Sequence, residues 1–159
     1  GNSGGPLLNL RGEVVGVNSQ IDSTMRQNSG IGFAVPSNLV RRVSGELINN
    51  GEMRYSYIGI NSRPIDLDLI EEFGLPDNIQ GVAVWQVIPQ GPASVGGLQT
   101  LSANTVDIIT AIDSTPLHNF DELVAYLAIN TSPGQTVSLT VYRSGQLFSA
   151  PVTLSERPR

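Results

Sequence analysis

The stretch Gly1-Asn2-Ser3-Gly4-Gly5-Pro6-Leu7 at the start of the sequence places a serine in a loop of glycines. Glycines on both sides allow a tight turn and let another chain approach without a Cβ in the way. A short apolar run, a turn at Arg11-Gly12 and a second run, Glu13-Val14-Val15-Gly16-Val17, follow this loop. The pattern predicts a β-hairpin directly after the serine.

The motif Gly-x-Ser-x-Gly has two common catalytic settings. In α/β-hydrolases the serine lies on a turn between a strand and a helix, so a helix must follow it. Pro6 and the predicted hairpin exclude that setting here. A further strand is predicted at residues 28–36, followed by a helix that Ser37 caps and that ends before Gly51. The helix carries one apolar stripe: Leu39, Val40, Val43 and Leu47.

The serine loop, the hairpin, the run Gly-Ile-Gly-Phe-Ala-Val-Pro and the closing helix together resemble the end of the protease domain in the HtrA/Deg family of trypsin-like serine proteases. The resemblance covers residues 1–51. It implies that Ser3 is the nucleophile and that the backbone N–H groups of Gly1 and Ser3 form the oxyanion hole. It also implies that residues 17–21 lie along the substrate and that the loop at residues 22–29 helps to switch the active site, with a plain surface loop as the alternative.

The base and the aspartate of the triad precede the serine in trypsin-like proteases. His118 is the single histidine of the sequence, and it falls in a turn of the second domain. We therefore interpret His118 as an exposed turn residue. The chain alone is predicted to lack the histidine and aspartate of the triad and to be inactive by itself.

Composition narrows the remaining function classes. The 159 residues suggest one domain or two small ones, and 40% of them are hydrophobic, which is enough for a core. The net charge is −5, and the nine basic residues are scattered, which argues against nucleic-acid binding. The absence of cysteine excludes disulfides and cysteine-based zinc sites. We expect no metal and no cofactor.

A second domain is predicted after a polar linker at residues 52–56. Strands are expected at residues 81–88, 106–112, 136–142 and 146–154. Asp66 or Asp68 is expected to cap a short helix that runs through Phe73 and is ended by Gly74 and Pro76, and residues 120–128 are helical in pattern. Pro151 predicts that the last strand lies at a sheet edge or a bulge.

The runs Tyr-Ile-Gly-Ile, Val-Ile-Pro-x-Gly-Pro-Ala and Asp-Ile-Ile-Thr-Ala-Ile-Asp in this part resemble the PDZ domain that follows HtrA/Deg protease domains. The resemblance covers residues 57–155 and leaves 156–159 as a tail. Residues 99–105 depart from it, because they form a longer loop than the tight turn usual there.

A PDZ domain adds an extended peptide to an exposed strand beside a helix. The resemblance implies that the loop Tyr57-Ile58-Gly59-Ile60 captures a terminal carboxylate through the N–H groups of Ile58, Gly59 and Ile60. The strand from Ile60 onward would receive the peptide. Phe120, Val124 and Leu127 share one helical stripe, which either lines the pocket with Ile58 and Ile60 or is plain core. For Leu123 we expect core.

We therefore expect a mainly β fold with short helices, in which a partial trypsin-like β-barrel precedes a PDZ domain. The resemblance implies that the parent protein is a periplasmic or otherwise extracytoplasmic serine endopeptidase of protein quality control. It also implies a trimer-based homo-oligomer that acts on unfolded or C-terminal peptide substrates. Two alternatives are a non-catalytic PDZ peptide-binding module and a catalytically dead, chaperone-like homologue.

Overall fold

The structure, a computed structural model, describes residues 2–21 and 32–158. The chain divides into two compact units, Gly1–Met53 and Arg54–Arg159. In the first unit, strands β1 (Pro6–Leu8), β2 (Val14–Ile21) and β3 (Gly32–Pro36) form an antiparallel sheet in that order. The helix α1 (Ser37–Asn50) contacts β2 and β3. The hairpin predicted after the serine is therefore present, as β1 and β2.

The start of α1 differs from the prediction. Ser37 was expected to cap the helix, but it is the first helical residue, and Pro36 occupies the cap position without a capping side chain. Pro36, the last residue of β3, has φ −57° and ψ 141°, and its ring offers no acceptor for the first N–H groups of the helix. The predicted end is confirmed: Gly51 has φ 75° and its N–H donates to the Leu47 carbonyl.

The second unit is built on an antiparallel sheet in the order β10-β9-β7-β6-β5, with β8 paired to β7. The strands β5 and β10 are its edges, which confirms the edge position expected for Pro151. The elements are β4 (Ser56–Tyr57), β5 (Ile60–Arg63), α2 (Leu67–Phe73), β6 (Val82–Val87), α3 (Pro92–Val95), β7 (Ile108–Ile112), β8 (Thr115–Pro116), α4 (Phe120–Asn130), β9 (Thr136–Arg143), β10 (Gln146–Thr153) and β11 (Ser155–Glu156). No helix in the described ranges is long and apolar enough to cross a membrane.

The core of the second unit consists of two apolar clusters. The larger one contains Leu123, Ile109 and Leu139, which are fully buried. The smaller one includes Leu69 of α2 and Ile108 of β7. Leu123 is therefore a core residue, as expected, and it anchors α4 to the sheet.

A short ladder between β4 and β11 joins the two ends of the second unit. Ser56, which falls in the predicted linker, lies opposite Glu156, which falls in the predicted tail. The ladder continues at Arg157, whose N–H donates to the Tyr55 carbonyl at 2.9 Å. The structured part of this unit thus extends slightly beyond both predicted limits.

The long loop at residues 99–105 is fixed by hydrogen bonds. The Gln99 N–H donates to the buried carboxylate of Asp107, and the Thr100 hydroxyl accepts from the Val87 N–H. Ser102 and Thr105 form an isolated bridge across the loop. These contacts attach the loop to β6 and to the residue before β7, so it is part of the packed unit.

Candidate serine loop and peptide-binding groove

The loop around Ser3 is a tight turn held against β2. The Gly5 N–H donates to the Asn2 carbonyl at 3.0 Å, which closes the turn. The Gly4 N–H donates to the Asn18 carbonyl, and the Asn18 N–H donates back to the Gly5 carbonyl. Gly4 has φ 84°, a conformation that disfavours any side chain. The glycines therefore fix the position of the serine relative to β2.

The Ser3 side chain is exposed, and its hydroxyl donates to the Ser19 carbonyl at 3.1 Å. Gly1, the second predicted oxyanion donor, and the loop at residues 22–29 lie outside the described residues. Residues 17–21, the stretch predicted to lie along a substrate, belong to β2 beside the serine loop.

His118 lies at the start of α4 in the second unit. Its Nδ1 is 2.9 Å from Glu122 Oε2, and its backbone N–H donates to the same oxygen. These two contacts, the backbone one first, hold the pKa of Glu122 below its ordinary value. His118 is exposed, as predicted, and its contacts stabilise the first turn of α4.

A groove of about 520 Å³ runs between β5 and α4. All the predicted peptide-binding residues except Gly59 line it: Tyr57, Ile58, Ile60, Phe120, Val124 and Leu127. Ile58, Ile60 and Leu127 are buried and form its apolar floor. Phe120 and Val124 are 39% and 46% exposed, so a ligand in the groove has apolar surface left to cover.

The loop before β5 presents unused backbone donors. Its carbonyls are occupied: Ile58 accepts from the Ala93 N–H and Gly59 from the Ile88 N–H, both at 2.9 Å. Within residues 2–21 and 32–158, no acceptor receives the N–H of Ile58 or Gly59. Gly59 has φ 81°, and a Cβ there would lie 3.3 Å from the Pro92 ring. Any side chain at this position would therefore be strained.

The register of β5 leaves its outer edge open. Ile60 lies opposite Val87, and the Ile88 N–H bonds to the Gly59 carbonyl. In an antiparallel ladder this pattern makes Ile60 and Val87 a non-hydrogen-bonded pair. The N–H and C=O of Ile60 consequently point away from β6, toward the edge where a further strand can pair.

Several groove residues escaped the sequence analysis. They are Tyr55, Ser56, Asn61, Asp121, Ala128 and Arg157. The ladder of β4 and β11 brings Arg157 to the groove, and no apolar periodicity signals so short a ladder. In the described part of the chain, no group of three or more His, Cys, Asp or Glu side chains is arranged to hold a metal ion.

Comparison with known proteins agrees with this geometry. The PDZ domain model matches residues 56–154. The chain belongs to the PDZ domain family. The trypsin model matches residues 1–43, in front of this PDZ domain.

The relatives of this PDZ-containing chain confirm the resemblance to the HtrA/Deg family. It is 38% identical to the periplasmic pH-dependent serine endoprotease DegQ of Escherichia coli K12, over 97% of this chain and 32% of the relative. It is 37% identical to a probable periplasmic serine endoprotease DegP-like of Ectopseudomonas mendocina, over 99% of this chain and 32% of the relative.

Among solved structures, the HtrA-type protease AlgW with a tripeptide matches all of this chain and half of its own length, at 30% identity and a TM-score of 0.75. The chain thus spans about a third of the length of the curated relatives it matches.

Proposed function

We propose that the second unit binds the C-terminal ends of extended polypeptides at the outer edge of β5, as the peptide-binding part of a serine endopeptidase whose nucleophile is Ser3. One observation carries the proposal: the open edge of β5 and the unused N–H groups before it border an apolar groove against α4. These are the elements needed for strand addition with capture of a terminal carboxylate.

The C-terminal carboxylate of the peptide accepts hydrogen bonds from the N–H groups of Ile58, Gly59 and Ile60. Because the carboxylate is charged, each of these hydrogen bonds is stronger than a hydrogen bond to a neutral acceptor. The last side chain of the peptide then packs against Ile58, Ile60 and Leu127. Phe120 and Val124 contact the preceding residues of the peptide, which lie farther along the groove. An apolar last residue is favoured, because this floor is apolar and buried.

The endopeptidase part of the proposal rests on the trypsin match, the names of the relatives and the glycine-fixed loop around Ser3. In the parent protein, Ser3 attacks the peptide carbonyl, and the N–H groups of Gly1 and Ser3 stabilise the oxyanion. The relatives named as periplasmic enzymes support a periplasmic location for the parent. We further propose that the parent acts on unfolded proteins in quality control and forms a trimer-based homo-oligomer. We propose the limits 1–51 for the trypsin-like part and 57–155 for the PDZ domain, with the linker 52–56 and the tail 156–159 contributing the β4 and β11 residues Ser56 and Glu156.

Peptide binding tests the proposal directly. A fluorescent peptide with an apolar last residue and a free C-terminus should bind the 159-residue chain with a dissociation constant of about micromolar order, measured by fluorescence polarisation. C-terminal amidation should abolish most of the binding, since the loop donors lose their charged acceptor. Equal binding of the free and amidated peptides would show that the loop is wrongly assigned.

A matched pair of variants tests the groove. Leu127→Asp should abolish binding, because it places an unpaired charge in the buried floor. Leu147→Asp is the control: Leu147 is 64% exposed on β10, at the opposite edge of the sheet, so binding should persist. Circular dichroism of both variants checks that the fold survives. Loss of binding in both would refute the location of the site.

The serine assignment predicts that the purified chain alone neither cleaves casein nor reacts with a fluorophosphonate probe. The sequence contains a single histidine, and His118 is engaged with Glu122 at the start of α4. A serine without a base keeps only a small residual rate. Probe labelling that Ser3→Ala removes would overturn the prediction.

A further inference from the structure

The lining of the groove includes one cationic and one anionic side chain, Arg157 and Asp121. Arg157 lines the groove together with Tyr55 and Ser56, which precede or belong to β4. Asp121 lines the groove from the first turn of α4. The last turn of α4, at Ala128, borders the same groove. Because a helix rises 1.5 Å per residue, Asp121 lies about 10 Å along the axis from Ala128.

The position of the loop decides the direction of the peptide. The carboxylate donors at residues 58–60 come directly after β4, which is already paired with β11. Arg157 follows β11 and lies beside Tyr55, so the positive charge is at the carboxylate end. The earlier residues of the peptide must then run along the open edge of β5, toward Ser62 and Arg63.

Alternation along the peptide selects the residue that meets Asp121. In an extended strand, side chains two positions apart point to the same face and lie about 7 Å apart. When the last side chain packs on Leu127, the side chain two positions earlier also faces α4, nearer its first turn. Phe120 and Asp121 border the groove there, and they also border an adjoining cavity of about 360 Å³ that gives a long side chain room.

Asp121 is available for such a side chain. It is exposed, and no ion pair or side-chain hydrogen bond within residues 2–21 and 32–158 engages its carboxylate. The neighbouring charges are already engaged: Glu122 contacts His118 at 2.9 Å, and Arg63 contacts Asp66 at 3.4 Å and lies over the Trp85 ring. Arg63 and His118 line the adjoining cavity together with Asp121, but within the described residues neither forms an ion pair with the Asp121 carboxylate.

We infer that the groove prefers peptides with Lys or Arg two residues before a free C-terminus, and that Asp121 determines this preference. The inference rests on the proposed function, because it presupposes that the carboxylate is held at residues 58–60. The chemistry is that of an exposed ion pair, so the effect is a preference and not an absolute requirement.

Three free-acid peptides that differ only at this position, with Lys, Ala or Glu, test the inference on the full chain by fluorescence polarisation. The Lys peptide should bind about fivefold more tightly than the Glu peptide, with Ala between them. Asp121→Asn should remove the difference, and Asp121→Lys should reverse it. Asp68→Asn, an exposed aspartate in the first turn of α2, is the matched control and should leave the order unchanged.

The outcomes separate the two proposals. If the three free-acid peptides bind with equal affinity, or if Asp121→Lys keeps the wild-type order, the inference is wrong while carboxylate capture stands. If the amidated Lys peptide binds as tightly as its free acid, the proposed function itself fails. Raising the salt concentration to about 1 M should shrink the Lys-to-Glu ratio, because the Debye length falls to about 3 Å.

Discussion

Asp107 holds a loop and two strands together through a single carboxylate. It is fully buried, and its oxygens accept hydrogen bonds from the Arg143 guanidinium and from the Gln99 N–H. Arg143 also donates to the Gly97 carbonyl at 2.9 Å and lies over the Phe148 ring. The hydrogen bond to Asp107 raises the pKa of Arg143 above its ordinary value. Burial of this charge is tolerated because its polar partners are all in place.

Removal of this carboxylate should therefore be costly. We expect Asp107→Ala to lower the free energy of unfolding by about 3 kcal/mol, because it leaves Arg143 without its partner and the Gln99 N–H unpaired. Asp107→Asn should cost less, since one acceptor oxygen remains. Urea denaturation followed by circular dichroism measures both, with the exposed Asp68→Ala as a control. A similar unfolding midpoint for Asp107→Ala and the control would contradict this account.

At the scale of single elements, local signals made some parts of the fold predictable. The sequence suggested Asp66 or Asp68 as the cap of α2, and the structure shows the Asp66 side chain accepting the Leu69 N–H, with Gly74 at φ 59° ending the helix. These signals lie within one turn of the helix they limit. The predicted Ser37 cap of α1 was wrong by one residue. Pro36 is the last residue with an extended ψ, 141°, so Ser37 is already helical.

Contacts between distant elements were not predictable. The ladder of β4 and β11 is two residues long on each side, so it has no alternating pattern to detect, and Arg157 was placed in a tail. Asp121 was missed for another reason: acidic residues are favourable in the first turn of any helix. The sequence cannot distinguish a residue that stabilises a helix from one that also borders a groove. The apolar residues Ile58, Ile60 and Leu127 were found because a known loop motif and helical periodicity pointed to them.

At the scale of the whole molecule, the two units differ in how much apolar surface they bury. Within the described residues, the buried hydrophobic side chains begin at Ile58 and belong to the second unit. In the first unit, large apolar side chains are exposed, among them Leu8 at 53%, Phe33 at 56% and Ile48 at 82%. Burial of apolar surface is the main favourable term in folding, so the first unit has little to offset the entropy of ordering its chain.

Hydrogen exchange of the 159-residue chain should therefore differ between the units. We expect fast exchange of backbone amides in residues 2–21 and 32–53 and strong protection in the strands of residues 54–158, as measured by mass spectrometry of peptic fragments. Leu139→Ala provides a control, because it removes a fully buried side chain from β9 and should cost about 2–5 kcal/mol. Exchange in the second unit should accelerate in this variant, while exchange in the first unit stays as it was. Equal protection of both units in the unmodified chain would contradict the prediction, because residues 2–19 and 32–53 contain no buried large apolar side chain that could slow the opening of their hydrogen bonds to that extent.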